Sequence, residues 1–133
     1  MHHFEYRGGE MFAEDVPVKR IAKEVGTPAY IYSLATLKRH FHVFDQGFAK
    51  IPHIVCFSVK ANSNIALLRT FAKESGAFDI VSGGELFRAL KAGADPKKIV
   101  FSGVGKEKEE IEYALTSGIL MCNVKSEQWV RAL

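Results

Sequence analysis

The chain has 133 residues, a formal net charge of +3, 47% hydrophobic residues and 25% charged residues. This composition suits a globular protein, and the basic residues are scattered among carboxylates, so a nucleic-acid partner is not expected. No stretch approaches the roughly 20 apolar residues of a membrane span, and no apolar signal core follows the first residues. We therefore expect a cytoplasmic protein with no nucleic-acid or membrane partner.

The first 33 residues predict a hairpin, a short helix and a brief strand. Residues 4–12 alternate around Gly8 and Gly9, which supply the positive φ of a tight turn. Residues 18–25 carry apolar side chains at helical spacing and are followed by Gly26, which ends the predicted helix. Residues 28–32 predict the strand.

Ser33 predicts the N-cap of a longer helix. An apolar stripe runs along this helix, and we expect it to pack in a core rather than to line a cofactor site. Its members are Leu34, Leu37, Phe41, Phe44 and Phe48.

A strand-then-helix unit then repeats four times. The strands begin near Ile54, Ala77, Ile99 and Ile119. Alternating units of this kind require a parallel sheet, which the pattern alone allows to be a doubly wound layer or a barrel. Glycines that we expect to cap the helices at their C-termini are Gly76, Gly93 and Gly118. The acidic run 107–112 suits a helix N-terminus.

Lys60 is the most informative residue, because it closes the apolar run 54–59 and a cap-forming Asn/Ser cluster follows it. Alternation puts Lys60 and Ser58 on one face of the strand. The C-terminal ends of parallel strands form the site face, so an inward lysine there is a candidate for Schiff-base chemistry. The pattern alone favours a lysine that leaves the strand for solvent, because Lys125 also closes an apolar run and periodicity cannot choose between the two lysines.

Two acids follow on the second unit. Asp79 shares a strand face with Ala77, and the pattern alone favours a strand-end acid in water. Glu85 follows Ser82 with the spacing of a capping box, which we favour over cofactor contact.

Other candidates are weaker. Residues 102–106 contain two glycines and a lysine but lack the spacing of a Walker loop or a dinucleotide fingerprint, so a tight turn is expected. Cys56 and Cys122 fall in predicted strands, which favours small buried thiols over a disulfide or a zinc site. The five histidines form no ligand set, so no metal site is predicted. Trp129 is expected to pack on the sheet from the last helix.

Three separated motifs carry a family resemblance: VKANSN at 59–64, GAFDIVSGGELFRALKAG at 76–93 and IVFSGVGK at 99–106. They resemble the N-terminal part of diaminopimelate decarboxylases, and residues 2–18 and 26–37 resemble that branch more than its ornithine or arginine relatives. The match covers essentially the whole chain. Members of this family carry pyridoxal 5'-phosphate on a lysine inside a TIM-type barrel of the alanine-racemase kind.

The resemblance implies decarboxylation of meso-2,6-diaminopimelate to L-lysine, a step of lysine biosynthesis, by a homodimer. It implies that Lys60 is the catalytic residue that holds pyridoxal phosphate, and that Asp79 lines the cofactor pocket. Two alternatives stay open: decarboxylation of another basic amino acid or polyamine precursor on the same fold, and a non-catalytic homologue that binds pyridoxal phosphate.

A complete (β/α)₈ barrel needs roughly 250 residues, so we expect a partial α/β barrel with about the first four βα units. Residues 1–33 are expected to associate with the family's second, β-rich domain, and residues 34–133 to form the first half of the barrel domain. By the resemblance, the phosphate-binding and substrate-binding residues belong to later sequence, so this chain alone is expected to be inactive.

Overall fold

The computed structural model describes residues 2–124 and 126–127. The chain folds into two compact units, one up to Phe44 and the other from Asp45 onward. The domain boundary expected after residue 33 stays a prediction.

A three-stranded antiparallel sheet opens the first unit. Strands β1 (Phe4–Arg7), β2 (Glu10–Ala13) and β3 (Val16–Pro17) pair in chain order. Gly8 and Gly9 form the first turn with φ of 58° and 83°, as the sequence predicts. Helix α1 (Val18–Val25) follows and ends at Gly26, so both the predicted hairpin and the predicted short helix are confirmed.

The strand predicted at residues 28–32 is wrong, because this segment has no regular secondary structure. Pro28 has no N–H to give to a ladder, and Tyr30 is 92% exposed rather than set against a sheet. Helix α2 (Leu34–Gly47) begins where expected, since the Ser33 hydroxyl accepts a hydrogen bond from the Thr36 N–H at 3.0 Å.

The apolar stripe of α2 does not pack as a core within the described chain. No residue of the helix is buried, and Phe44 is 59% exposed. The expectation of a core stripe is therefore wrong for these residues. The stripe identifies a face that is able to pack, but periodicity carries no information about which part of a protein covers that face.

The second unit is built on a parallel sheet whose strands lie in chain order. The strands are β4 (Cys56–Ser58), β5 (Ala77–Ile80), β6 (Ile99–Phe101) and β7 (Met121–Cys122). The helices between them are α3 (Ile65–Lys73), α4 (Gly83–Lys91) and α5 (Lys108–Thr116), with 3₁₀ turns at Val59–Ala61 and Pro96–Lys98. The predicted partial α/β barrel is confirmed. Trp129 and its predicted helix lie outside the described residues.

The two faces of this sheet differ in chemistry. The Phe57 ring stacks on Phe71 of α3 with ring centroids 4.3 Å apart, so this face packs on helices. Its large side chains are fully buried and include Phe78, Ile80, Ile99 and Phe101. The opposite face carries the smaller and polar side chains of β4 and β5, and it is the face that positions the candidate site.

Helix ends follow the predicted glycines with one exception. Gly93 and Gly118 take positive φ after α4 and α5, as expected. After α3 the left-handed residue is Ser75, with φ of 63°, rather than Gly76. The helix ends one residue earlier than predicted, and the Gly76 N–H closes the end by donating to the Phe71 carbonyl at 2.9 Å.

Candidate functional site

Two polar side chains lie next to each other at the carboxyl end of the parallel sheet. Ser58 on β4 and Asp79 on β5 are register partners. They lie on the face opposite Phe57, and the Ser58 hydroxyl donates to Asp79 Oδ2 at 3.4 Å. The predicted inward alternation of both residues is therefore confirmed.

Asp79 is only partly satisfied by its surroundings. Its Oδ1 atom is buried, and no donor in the described chain bonds to it. On its other side the register partner is Val100 of β6, which is buried and offers no donor from its side chain. A distance of 3.4 Å is long for a hydroxyl on a carboxylate, so the one described bond is weak. The carboxylate is therefore free to accept a hydrogen bond from a bound group.

Lys60 lies two residues beyond the end of the strand rather than on it. Strand β4 ends at Ser58, and Lys60 occupies the 3₁₀ turn Val59–Ala61. The chain turns there because Val59 is drawn into the core, with 0% exposure, and because Asn64 caps the following helix by accepting from the Ala66 N–H at 2.9 Å. The expectation that Lys60 ends the strand is therefore corrected.

The Lys60 side chain is exposed and has no hydrogen-bond or ion-pair partner among the described residues. Its turn contacts both β5 and α4. The amine is accessible to a ligand, at the same end of the sheet as Asp79. Its assignment to the cofactor stays a prediction, and the competing Lys125 lies outside the described residues.

The loop from β5 to α4 is held by side chains at several points. The Ser82 hydroxyl accepts from the Glu85 N–H at 3.2 Å, which confirms the serine half of the predicted capping box. The Glu85 carboxylate instead accepts from the Val81 N–H at 2.8 Å. Glu110, which the sequence analysis did not single out, accepts from the Gly83 N–H at 2.7 Å. The glutamate half of the predicted box is therefore not formed, because Glu85 binds the residue before the N-cap rather than Ser82 itself.

Lys106 is a buried anchor that sequence reasoning missed. Its side chain is 7% exposed, and its Nζ donates to the carbonyls of Gly103 and Asn123 at 2.9 and 3.0 Å. The same amine lies 5.1 Å from the centre of the Phe101 ring. The glycine-rich loop before it is a tight turn, as predicted, with positive φ at Gly103 and Gly105. No local signal marked this role, because Lys106 stands between Gly105 and the acidic start of α5, and one of its two carbonyl partners, Asn123, is 17 positions away.

The two cysteines are half-buried rather than fully buried, so the prediction of buried thiols is correct only in part. Both cysteines are free, and burial, followed by the charge of Asp79, raises the pKa of the Cys56 thiol, which keeps it protonated. Within residues 2–124 and 126–127, no three His, Cys, Asp or Glu side chains are grouped to hold a metal ion. The helices described for this chain are too short or too polar to cross a membrane.

Parallel βα units in chain order are the architecture of an α/β-barrel domain, a class of protein in which sites form at the carboxyl face of the sheet. Residues 34–133 match the family model described as "Pyridoxal-dependent decarboxylase, pyridoxal binding domain". The chain belongs to this family. The cofactor expected from the sequence, pyridoxal phosphate, is thereby confirmed.

Individual relatives agree with this assignment. The chain is 52% identical to the diaminopimelate decarboxylase of Haemophilus influenzae over 95% of its length and 30% of that protein. It is 49% identical to that of Vibrio cholerae over 100% of its length and 32% of that protein. The crystal structure of the M. jannaschii enzyme in co-complex with L-lysine matches with a TM-score of 0.92 and 32% identity, covering 97% of this chain and 31% of that one. The chain thus spans about a third of the length of its relatives.

Proposed function

We propose that the complete protein is a diaminopimelate decarboxylase that uses pyridoxal phosphate to convert meso-2,6-diaminopimelate to L-lysine. The observation that carries this proposal is the close sequence identity to curated diaminopimelate decarboxylases along nearly the whole chain. The exposed amine of Lys60 and the incompletely bonded carboxylate of Asp79, at one end of one sheet, fit a cofactor that needs an amine and an acceptor.

Lys60 is the proposed attachment point of the cofactor. Its side chain reaches from a turn rather than from the ladder, so it can approach and withdraw without disturbing a strand pair. The buried Val59 on one side and the capped α3 on the other fix the backbone from which it extends. Pyridoxal phosphate, when bound, supplies a ring that accepts the electron pair left by departing carbon dioxide.

Asp79 is the proposed acceptor for a donor on the bound cofactor or on Lys60. Its Oδ2 is oriented by the Ser58 hydroxyl, and its Oδ1 has no described partner. A buried acceptor that lacks a donor is costly, so a ligand that supplies one is favoured at this position. The carboxylate thus contributes binding and orientation rather than a fold contact.

The remaining features of the proposal follow the family. We propose a homodimer located in the cytoplasm, without nucleic-acid or membrane partners. Residues 34–133 would form the first half of the cofactor-binding barrel, and residues 1–33 would associate with the second domain.

Borohydride reduction of the complete protein, followed by peptide mass mapping, tests the attachment point. The expected result is a pyridoxyl group on Lys60, and no group after Lys60→Ala. A pyridoxyl group on Lys125 would contradict the assignment. Lys60→Arg is the matched variant, since it keeps a cation but has no primary amine to react.

Carbon dioxide release tests the substrate. Turnover is expected with meso-diaminopimelate and not with ornithine or arginine at equal concentration. A preference for either of those amino acids would replace the proposed substrate. Retention of pyridoxal phosphate without release from any of the three would favour a non-catalytic homologue.

A further inference from the structure

Glu110 bonds to the starts of two different helices with one carboxylate. It lies half-buried on the first turn of α5. Its Oε2 accepts from the Glu107 N–H at 3.1 Å, which closes the start of its own helix. Its Oε1 accepts from the Gly83 N–H at 2.7 Å, which is the first N–H of α4.

The second of these bonds is not needed to cap α5. A glutamate at the third helical position commonly returns to the N–H of its own N-cap, and one oxygen is enough for that. Here the other oxygen crosses 27 positions of sequence to a neighbouring strand-to-helix loop. A Cβ built on Gly83 would lie 3.4 Å from Glu110 Cγ, which is van der Waals contact, so the two loops lie side by side at this point. Glu110 therefore ties two loops at the site end of the sheet together.

The loop that Glu110 holds is the one that leads out of the candidate site. Gly83 is four residues after Asp79, and the Val81 N–H between them is held by Glu85. Both α4 and β5 contact the 3₁₀ turn that carries Lys60. A shift of the α4 start would therefore be transmitted to Asp79 along the chain and to Lys60 across that contact.

We propose that Glu110 is a positioning residue of the cofactor site. It touches neither Lys60 nor Asp79, and it acts through the Gly83 N–H by fixing the loop and helix against which the Lys60 turn rests. The inference rests on the proposed function, because it concerns the site at which pyridoxal phosphate is held.

The test compares Glu110→Ala with Glu109→Ala in the complete protein. Glu109 is the matched control, since it is an exposed acid on the same helical turn with no partner in the described chain. The measurements are the dissociation constant of pyridoxal phosphate from the apoprotein, read by absorbance, and the Tm of the apoprotein. We expect Glu110→Ala to raise the dissociation constant about 3- to 10-fold, the equivalent of one hydrogen bond, and Glu109→Ala to leave it unchanged.

Two further variants separate positioning from helix capping. Glu110→Gln keeps one acceptor oxygen and should lie between wild type and Glu110→Ala. Gly83→Pro removes the N–H that Glu110 binds, at a first helical position where proline is tolerated and after a Ser82 whose backbone is extended. If Glu110 acts through this N–H, Gly83→Pro alone raises the dissociation constant of pyridoxal phosphate. In the double variant, the fold-rise in that constant is then smaller than the product of the fold-rises in the two single variants.

Three results would overturn the inference. In the first, Glu110→Ala lowers the Tm of the apoprotein but leaves cofactor affinity at the wild-type value, which describes an ordinary cap. In the second, Glu109→Ala weakens binding as much as Glu110→Ala does. In the third, the fold-rise in the dissociation constant of the double variant equals the product of the fold-rises of Gly83→Pro and Glu110→Ala, so the two residues act independently. A wild-type protein that does not hold pyridoxal phosphate at Lys60 would overturn the proposed function as well, which distinguishes the two failures.

Discussion

Asp79→Ala should have opposite effects on the apoprotein and on the loaded protein. In the apoprotein, the buried Oδ1 has no described donor, and a buried acceptor left unbonded costs about 1–3 kcal/mol. Alanine removes that cost and loses only the 3.4 Å bond from Ser58, which is too long to be strong. We therefore expect the Tm of the apoprotein to stay the same or to rise.

Cofactor binding should weaken in the same variant. A hydrogen bond from a bound group to a carboxylate contributes about 1.5–3 kcal/mol, which corresponds to a rise of about 10- to 100-fold in the dissociation constant. Thermal unfolding of the apoprotein followed by circular dichroism, together with an absorbance titration with pyridoxal phosphate, measures both quantities. Glu109→Ala, which removes an exposed acid, is the control for charge alone and should change neither.

The opposite result would be an apoprotein Tm that Asp79→Ala lowers by several degrees, together with a dissociation constant for pyridoxal phosphate that stays at the wild-type value. Asp79 would then be a structural carboxylate with a partner in the complete protein, and its incomplete bonding here would have no bearing on the cofactor. Unchanged values of both quantities would return it to the role of a strand-end acid.

Three other predictions concern the rest of the chain. Lys106→Met should lower the free energy of unfolding of the complete protein by about 2–3 kcal/mol, because two carbonyls lose a buried donor. Lys108→Met, on the exposed surface, should leave it unchanged, and equal losses of the two variants in chemical unfolding would contradict this. Hydrogen bonds from the Ala35 N–H and the Ser33 hydroxyl lower the pKa of Glu14, so its stabilising effect is present above the ordinary carboxyl pKa and is lost as pH falls through the lowered value. Glu14→Gln should therefore flatten the fall in Tm as the pH drops below the ordinary carboxyl pKa, and parallel curves of Tm against pH would refute this. Residues 1–133 expressed alone should release no carbon dioxide and should self-associate, because β4 and β7 are the edges of the described sheet. A stable monomer in light scattering that also releases carbon dioxide would contradict the partial barrel.

Local chemistry made much of this fold predictable. The paired glycines of the first hairpin, the serine cap of α2 and the alternation around Asp79 each depend on neighbours within a few residues, and each prediction agrees with the structure. The strand predicted at residues 28–32 is wrong because a strand, unlike a turn or a cap, depends on residues that are distant in sequence. Strand formation depends on a partner ladder, which a run of β-formers cannot specify by itself.

The residues that the sequence did not reveal act across the sheet. Glu110 looked like one acid in a run that favours a helix N-terminus, and its bond to Gly83 depends on two loops that meet only after folding. Lys106 looked like part of a failed phosphate loop, although its partners are carbonyls 3 and 17 positions away. Lys60 is recognisable because a family motif surrounds it, whereas periodicity extends the strand to Lys60 and the structure ends it two residues earlier, at Ser58.

The capped helix starts of the second unit have an electrostatic consequence. The start of α3 is closed by Asn64, that of α4 by Ser82 and Glu110, and that of α5 by Glu110 again. A helix start with open N–H groups attracts phosphate, whereas each of these starts has at least one N–H held by an oxygen of the protein, and the Glu110 carboxylate repels a second anion. The starts of α4 and α5 are therefore unfavourable places for a free anion to bind.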